Sequence, residues 1–258
     1  MPGPIGSYLG QFSVNAMTLA VASTPNANIA AGDYYPAGYT GEGGGQFAGA
    51  VQTGIRTVPG QGNANVSLSQ STGKFSIALN VAANINLLTD RLANILGFSN
   101  GLAQPSAAVH TAASQARYQW RPTRAPSSLP LGFRAPLAPR SSTISGRAPD
   151  GTTFTVVGAL TYDAVVEYQQ LPAADVITPE SGTIYVDLQQ WIVDVVHKGM
   201  PFRWIMNRDQ YTDTTDYATC VWGEDGQEEV GSVQDYVGRQ FKSYNGLWGG
   251  KIPMMKKV

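Results

Sequence analysis

The chain of 258 residues is 43% hydrophobic, enough for one large core or two modest ones, yet only 14% of it is charged and it carries 29 glycines and 16 prolines. That composition is turn-rich but well short of disorder. One cysteine, Cys220, excludes an intrachain disulfide and a cysteine-rich metal cage and fits a reducing compartment.

Net charge is near zero, but it is unevenly spread. Before Gly158 there are nine Lys and Arg against four Asp and Glu, and from there on eight against fourteen, so the halves stand at about +5 and −6. No acid lies between Asp90 and Asp150, a stretch that holds or adjoins Arg91, Arg117, Arg121, Arg124, Arg134, Arg140 and Arg147. Such polarity orients copies of a protein against each other or against a neighbour. Nucleic acid is disfavoured as the partner, because these arginines are interleaved with proline rather than arrayed on a helix. The start, MPGPIGSYLGQF, reads against a secretory signal, and no apolar run long enough to span a membrane occurs.

In chain order, Gln11–Ser23 reads as one strand and Gln46–Thr57 as a short helix with Phe47, Ala50, Val51 and Ile55 on one face. Asn65–Gln70 and Lys74–Leu79 alternate around Ser71-Thr72-Gly73 and predict a hairpin. Leu87–Phe98 predicts a second helix, started by Asn86 or Thr89 and stopped by Gly97.

Residues 104–140 lose any period and gather prolines at 105, 122, 126, 130, 136 and 139, with a further one at 149. This segment reads as an extended Pro/Arg-rich arm or linker. Its Tyr118, Trp120, Leu129, Leu131, Phe133 and Leu137 are too apolar for a solvated tether, so it should lie against another surface. Arg117, Tyr118, Trp120, Arg121, Arg124, Leu131, Phe133, Arg134 and Arg140 are the candidate assembly contacts within it.

Beyond the arm, Ser141–Arg147 and Thr152–Val157 predict a second hairpin around Pro149-Asp150-Gly151, followed by a strand at Leu160–Gln170. Thr183–His197 has the strongest helical stripe, Ile184, Leu188, Trp191, Ile192, Val195 and Val196, ended by Gly199. Strands follow at Phe202–Met206, Asp216–Trp222 and Leu247–Met255. The fold class expected is α+β and β-dominated: two β-rich modules with short helices, residues 1–103 and 141–258, joined by the arm 104–140.

No catalytic, cofactor or metal constellation emerges. His110 sits in an alanine-rich segment read as a loop, and His197 near a helix end suits the dipole there. The acidic run Asp209, Asp213, Asp216, Glu224, Asp225, Glu228 and Glu229 has the composition of solvated turns and lacks the spacing of a calcium loop. The glycines around Gly43 follow no strand and carry no phosphate-binding lysine. Tyr34, Tyr35 and Tyr39 are candidate surface-contact aromatics, suited to an interface or, with Trp222, to stacking on a sugar.

Two stretches resemble virion proteins of tailed bacteriophages. Ile29-Ala30-Ala31-Gly32-Asp33-Tyr34, the helix Gln46–Thr57, Thr72-Gly73-Lys74-Phe75 and Ile95-Leu96-Gly97-Phe98 are similar to a recurring module covering under a third of the chain. Gly199-Met200-Pro201-Phe202-Arg203-Trp204 and Tyr244-Asn245-Gly246-Leu247-Trp248 are similar to segments of minor tail and baseplate proteins. The resemblance implies a non-enzymatic, homo-oligomeric subunit of the virion tail, assembled in the host cytoplasm, with other copies and neighbouring virion proteins as partners. It transfers no catalytic residues. A head or neck subunit and a module binding host-surface glycan are the rival expectations.

Overall fold

A computed structural model of the chain describes residues 7–22, 26–36, 46–69, 72–99, 101–127, 139–147, 153–177, 187–205, 217–222 and 241–257. They form an α+β fold dominated by strands.

The first strand, β1 (Ser7–Gly10), is buried throughout. The single strand expected at Gln11–Ser23 is two, β2 (Phe12–Val14) and β3 (Met17–Val21), because the chain changes partner between them. β3 pairs with β4 (Asn26–Ile29), whereas β2 pairs with β5 (Gly32–Tyr34). The first helix, α1 (Phe47–Arg56), forms where its apolar spacing placed it and buries Phe47, Val51 and Ile55. Gly54 lets this helix lie on β4, since a Cβ there would stand 2.5 Å from the Asn28 carbonyl oxygen.

The expected hairpin is present as β6 (Asn65–Leu68) and β7 (Phe75–Asn86), with Gly73 at φ +69° in its turn. β7 runs well past Leu79. Alternation fails at Asn80–Ala82, which are exposed, but Gln61 holds the irregular stretch: its Oε1 accepts from Asn80 N at 2.9 Å and its Nε2 donates to the Val81 carbonyl at 2.9 Å. The second helix, α2 (Asp90–Leu96), is capped as expected, with Thr89 Oγ1 accepting from Leu92 N and Gly97 at φ +80°.

The arm expected at 104–140 requires correction over its first part. Residues 103–111 are an edge strand, β8 (Ala103–Thr111), paired with β7, and 119–120 are a short strand, β9 (Gln119–Trp120), paired with β1. Pro105 is compatible with β8 because of where it falls. Leu87 N donates to the Leu102 carbonyl, so the two-residue alternation turns Gln104 toward β7 and the proline nitrogen outward, where no hydrogen is needed.

The second expected hairpin appears as β10 (Pro139–Arg147) and β11 (Thr153–Pro172), the latter absorbing the strand predicted at Leu160–Gln170. A short helix α3 (Ala173–Val176) follows, and then α4 (Leu188–Asp194), started by Asp187, whose side chain accepts from Gln190 N at 2.7 Å. A 3-10 turn, Val196–Lys198, and Gly199 in the left-handed region end it. β12 (Phe202–Ile205), β13 (Tyr217–Trp222), β14 (Phe241–Tyr244) and β15 (Leu247–Lys257) complete the chain.

β1 and β9 are built into the sheet of the carboxy-terminal strands, in the order β10-β11-β15-β13-β12-β1-β9 with β14 on β15. That sheet therefore draws on all three of the expected segments. The remaining strands form a five-stranded sheet of β3, β4, β6, β7 and β8 and the small β2–β5 pair.

Gly97 carries a sharp stability test, since a Cβ there would meet the Ser114 and Gln115 carbonyl oxygens on a left-handed backbone. Gly97→Ala should lower unfolding free energy by ~2 kcal/mol or more in urea titration; a change under ~0.5 kcal/mol would refute the close approach.

Candidate functional site

Four of the arm residues that the sequence offered as intermolecular contacts, Arg117, Tyr118, Trp120 and Arg121, are used internally. Arg117 donates from Nε to Asp194 Oδ2 at 2.7 Å and from Nη2 to Oδ1 at 2.8 Å, a two-pronged pair that ties the segment before β9 to the end of α4. The Asp194 side chain is 1% exposed, while that of Arg117 is 38% exposed. A carboxylate at the C-terminal end of a helix is disfavoured by the dipole. Arg117 offsets this, with Gln190 donating to the same carboxylate at 3.1 Å and Lys198 lying 3.9 Å away.

Tyr118 follows with φ +65°, an uncommon backbone for an aromatic residue. It is held there by Gly10 N donating to its carbonyl at 2.7 Å and by its ring stacking on Phe12, 4.4 Å between centroids. Trp120 is fully buried and donates from Nε1 to the Asp175 carbonyl at 2.7 Å. Arg121 is buried as well, with Nη1 3.4 Å from the Ser69 carbonyl. Arg124 is exposed, as first expected of a contact residue. Leu131, Phe133 and Arg134 lie outside the described residues, and Arg140 stands in β10 opposite Thr161.

Tyr34 and Tyr35 are likewise not surface aromatics. Pairing of β5 with β2 sets Tyr34 opposite Phe12, where it is 8% exposed, meets Phe47 edge-on and donates to the Ala30 carbonyl at 3.0 Å. Tyr35 is 7% exposed beneath Arg203, whose guanidinium carbon lies 4.2 Å from the ring centroid. Tyr39 lies outside the described residues. Trp222 is in β13 opposite Met254, and Cys220 is in the same strand opposite Phe202.

His110 is in β8 rather than in a loop; it is buried, with Nε2 2.9 Å from the Ala83 carbonyl, so it serves the irregular part of β7, as Gln61 does. His197 stands in the turn after α4, as its position near a helix end suggested. The acidic run from Asp209 to Glu229 lies outside the described residues, apart from the strand within it. Among the described residues the buried carboxylates all serve the scaffold: Asp175 Oδ2 accepts from Thr123 N and Oγ1, Asp187 caps α4 and Asp194 holds Arg117.

Searches of protein-family models, curated proteins and solved structures find no match to the chain. Nor is any helix among the described residues long and apolar enough to cross a membrane.

The large apolar and aromatic side chains that do remain on the surface are not among the candidate contact residues of the sequence. Tyr244, 80% exposed, and Leu247 flank the turn Asn245-Gly246, where both φ angles are positive, at the tip of the β14–β15 hairpin. Asn-Gly is the strongest short-range hairpin signal, and at 245–246 it is the sequence feature that marks β14 as the partner of the strand beginning at Leu247. Val81 and Val109 are also exposed, at 57% and 54%.

Two outcomes follow from the Arg117 junction. Arg117→Ala leaves the Asp194 carboxylate buried without its main partner, and should cost about 2–3 kcal/mol of stability, below the full value for a wholly buried pair because Arg117 is partly exposed; loss under ~0.5 kcal/mol in denaturant titration would refute the coupling. Burial raises the Tyr118 pKa above its ordinary value. The neutral phenol is favoured in the folded state, so its contribution is intact below about pH 10 and is lost as pH rises through the folded pKa. Tyr118→Phe should therefore weaken the alkaline fall in stability above about pH 10 without changing stability at neutral pH by more than ~1 kcal/mol; an unaltered alkaline limb would count against it.

Proposed function

We propose that the chain is a non-enzymatic structural subunit of a tailed-phage virion, placed in the tail tip, baseplate or an adjoining ring and acting through assembly with copies of itself and with neighbouring virion proteins. The observation that carries this reading is where its interactive side chains lie. The described buried charges and most of the arm's aromatics are engaged within the fold, while Tyr244 and Leu247 are held out on a tight hairpin tip. Exposed tyrosine beside an apolar residue on a rigid turn suits an interface anchor, since it offers a large contact area with little side-chain freedom to lose. The similarity of Tyr244-Asn245-Gly246-Leu247-Trp248 to tail and baseplate segments supports the same placement.

The test is incorporation. Mass spectrometry of purified particles should find the chain, and an antibody raised against it should label the tail end. Tyr244→Ala should reduce incorporation several-fold while shifting the stability of the free chain by less than ~0.5 kcal/mol, because the side chain is exposed. Particles lacking the chain, or a label confined to the head, would overturn the tail assignment.

A further inference from the structure

Sheet edges present rows of unpaired peptide groups, and proteins blunt them with brevity, charge or a covering element. Almost every edge described here is managed in one of these ways. β4 lies under α1, and the outer side of β6 is met by the same helix, whose Gln52 Oε1 accepts from Val66 N at 2.9 Å. β9 is two residues long, β2 and β5 are three each, β14 is four with Lys242 in it, and β10 carries Arg140 and Arg147.

β8 is the exception. It is nine residues long, packs along β7, and contains no Asp, Glu, Lys or Arg; none occurs between Arg91 and Arg117. Burial explains only half of that uncharged stretch. Leu92, Ala93, Ile95 and Leu96 of α2 are core residues, but Ser106, Ala108, Val109 and Thr111 are exposed and would tolerate a charge as far as folding is concerned.

The ladder also defines which peptide groups are free to pair. Ala112 N donates to the Phe75 carbonyl, and His110 faces Ile77, so alternation turns His110 toward β7 and leaves Val109 and Thr111 with N–H and C=O pointing outward. Pro105 blunts the other end of the strand. Among the described residues, the open portion is thus Ser106–Thr111.

Building on the assembly reading, we propose that this edge is a strand-addition site whose occupant is the same segment of a second copy, running antiparallel about a twofold axis near Val109. A strand without charges can oppose its own copy with no like-charge contact, which a charged edge could not do. Main-chain hydrogen bonds would supply the affinity, and Val109 would meet its symmetry mate across the axis.

Native mass spectrometry and amide exchange test this on the full chain. The wild type should form dimers at micromolar concentration, with slow exchange at Val109 and Thr111. Val109→Lys sets like charges opposite each other at the axis and should weaken dimerisation by at least ~10-fold and speed exchange at Thr111, whereas Val109→Thr should retain both. Circular dichroism identifies a variant that fails to fold, and the wild-type exchange pattern needs no variant. Rapid exchange at both amides in the concentrated wild type would overturn the inference, as would a monomer at all concentrations. An oligomer unaffected by a folded Val109→Lys chain would overturn this edge while leaving the assembly reading intact, and absence from particles would sink that reading without touching the dimer.

Discussion

The fold depends on the burial of Tyr8. This residue lies on β1 at the centre of an aromatic cluster, with Trp120, Trp191, Phe202 and Trp204 rings 4.9, 5.7, 6.1 and 6.2 Å away, and its hydroxyl sits 3.0 Å from that of Tyr168. The rings come from four separate parts of the chain: Trp120 from β9, Trp191 from α4, Phe202 and Trp204 from β12, and Tyr168 from β11. Burying them together removes a large apolar area from water, and the phenol pair keeps the two hydroxyls satisfied inside it. β1 is drawn between β9 and β12 as a consequence, with Gln11 N donating to the Pro201 carbonyl. Gly10 has no alternative here, since a Cβ would run into Val195.

Local structure was legible in the sequence wherever period, cap and turn agreed. α1, α2, the β6–β7 hairpin and the β10–β11 pair all had such agreement, as did Phe202 and Leu247 as strand starts. What the sequence did not disclose was non-local. Nothing in Ser-Tyr-Leu-Gly at positions 7–10 announces a strand paired on both sides, because its partners lie at Gln119–Trp120 and Phe202–Ile205. The proline density of 104–140 masked β8 and β9, for a proline at the outward position of an edge strand is compatible with the ladder. Tyr34 and Tyr35 looked like surface contacts for a similar reason: their turn-rich flank suggested exposure, while the pairing of β5 with β2, unreadable from either segment alone, sends them inward.

The Arg117–Asp194 pair illustrates how the aromatic core sets the electrostatics around it. Once Trp120 and Trp191 are buried together, 6.5 Å apart, the residues three before and three after them are carried into proximity at the rim of the same cluster. Asp194 is then desolvated at a helix end where the backbone already repels negative charge, and a guanidinium with two parallel donors is the group that best matches it. The left-handed backbone of Tyr118 belongs to the same junction, since its ring must reach Phe12 while Arg117 on one side faces α4 and Trp120 on the other enters the core. The strain is tolerated because neighbours on both sides fix the conformation.

Symmetry limits what the β8 edge could do in an assembly. Antiparallel pairing of a strand with its own copy is isologous: both copies use the same surface and exhaust it, so the contact closes at two and cannot propagate into a ring. Any assembly of this chain larger than a dimer needs a second, different contact. The β14–β15 tip offers a separate surface for such a contact, because Tyr244 and Leu247 are exposed there and its strands belong to a different sheet from β8. A self-complementary edge combined with a second contact at the tip builds a closed assembly of paired subunits where the rotation of that second contact closes, and an open one where it does not.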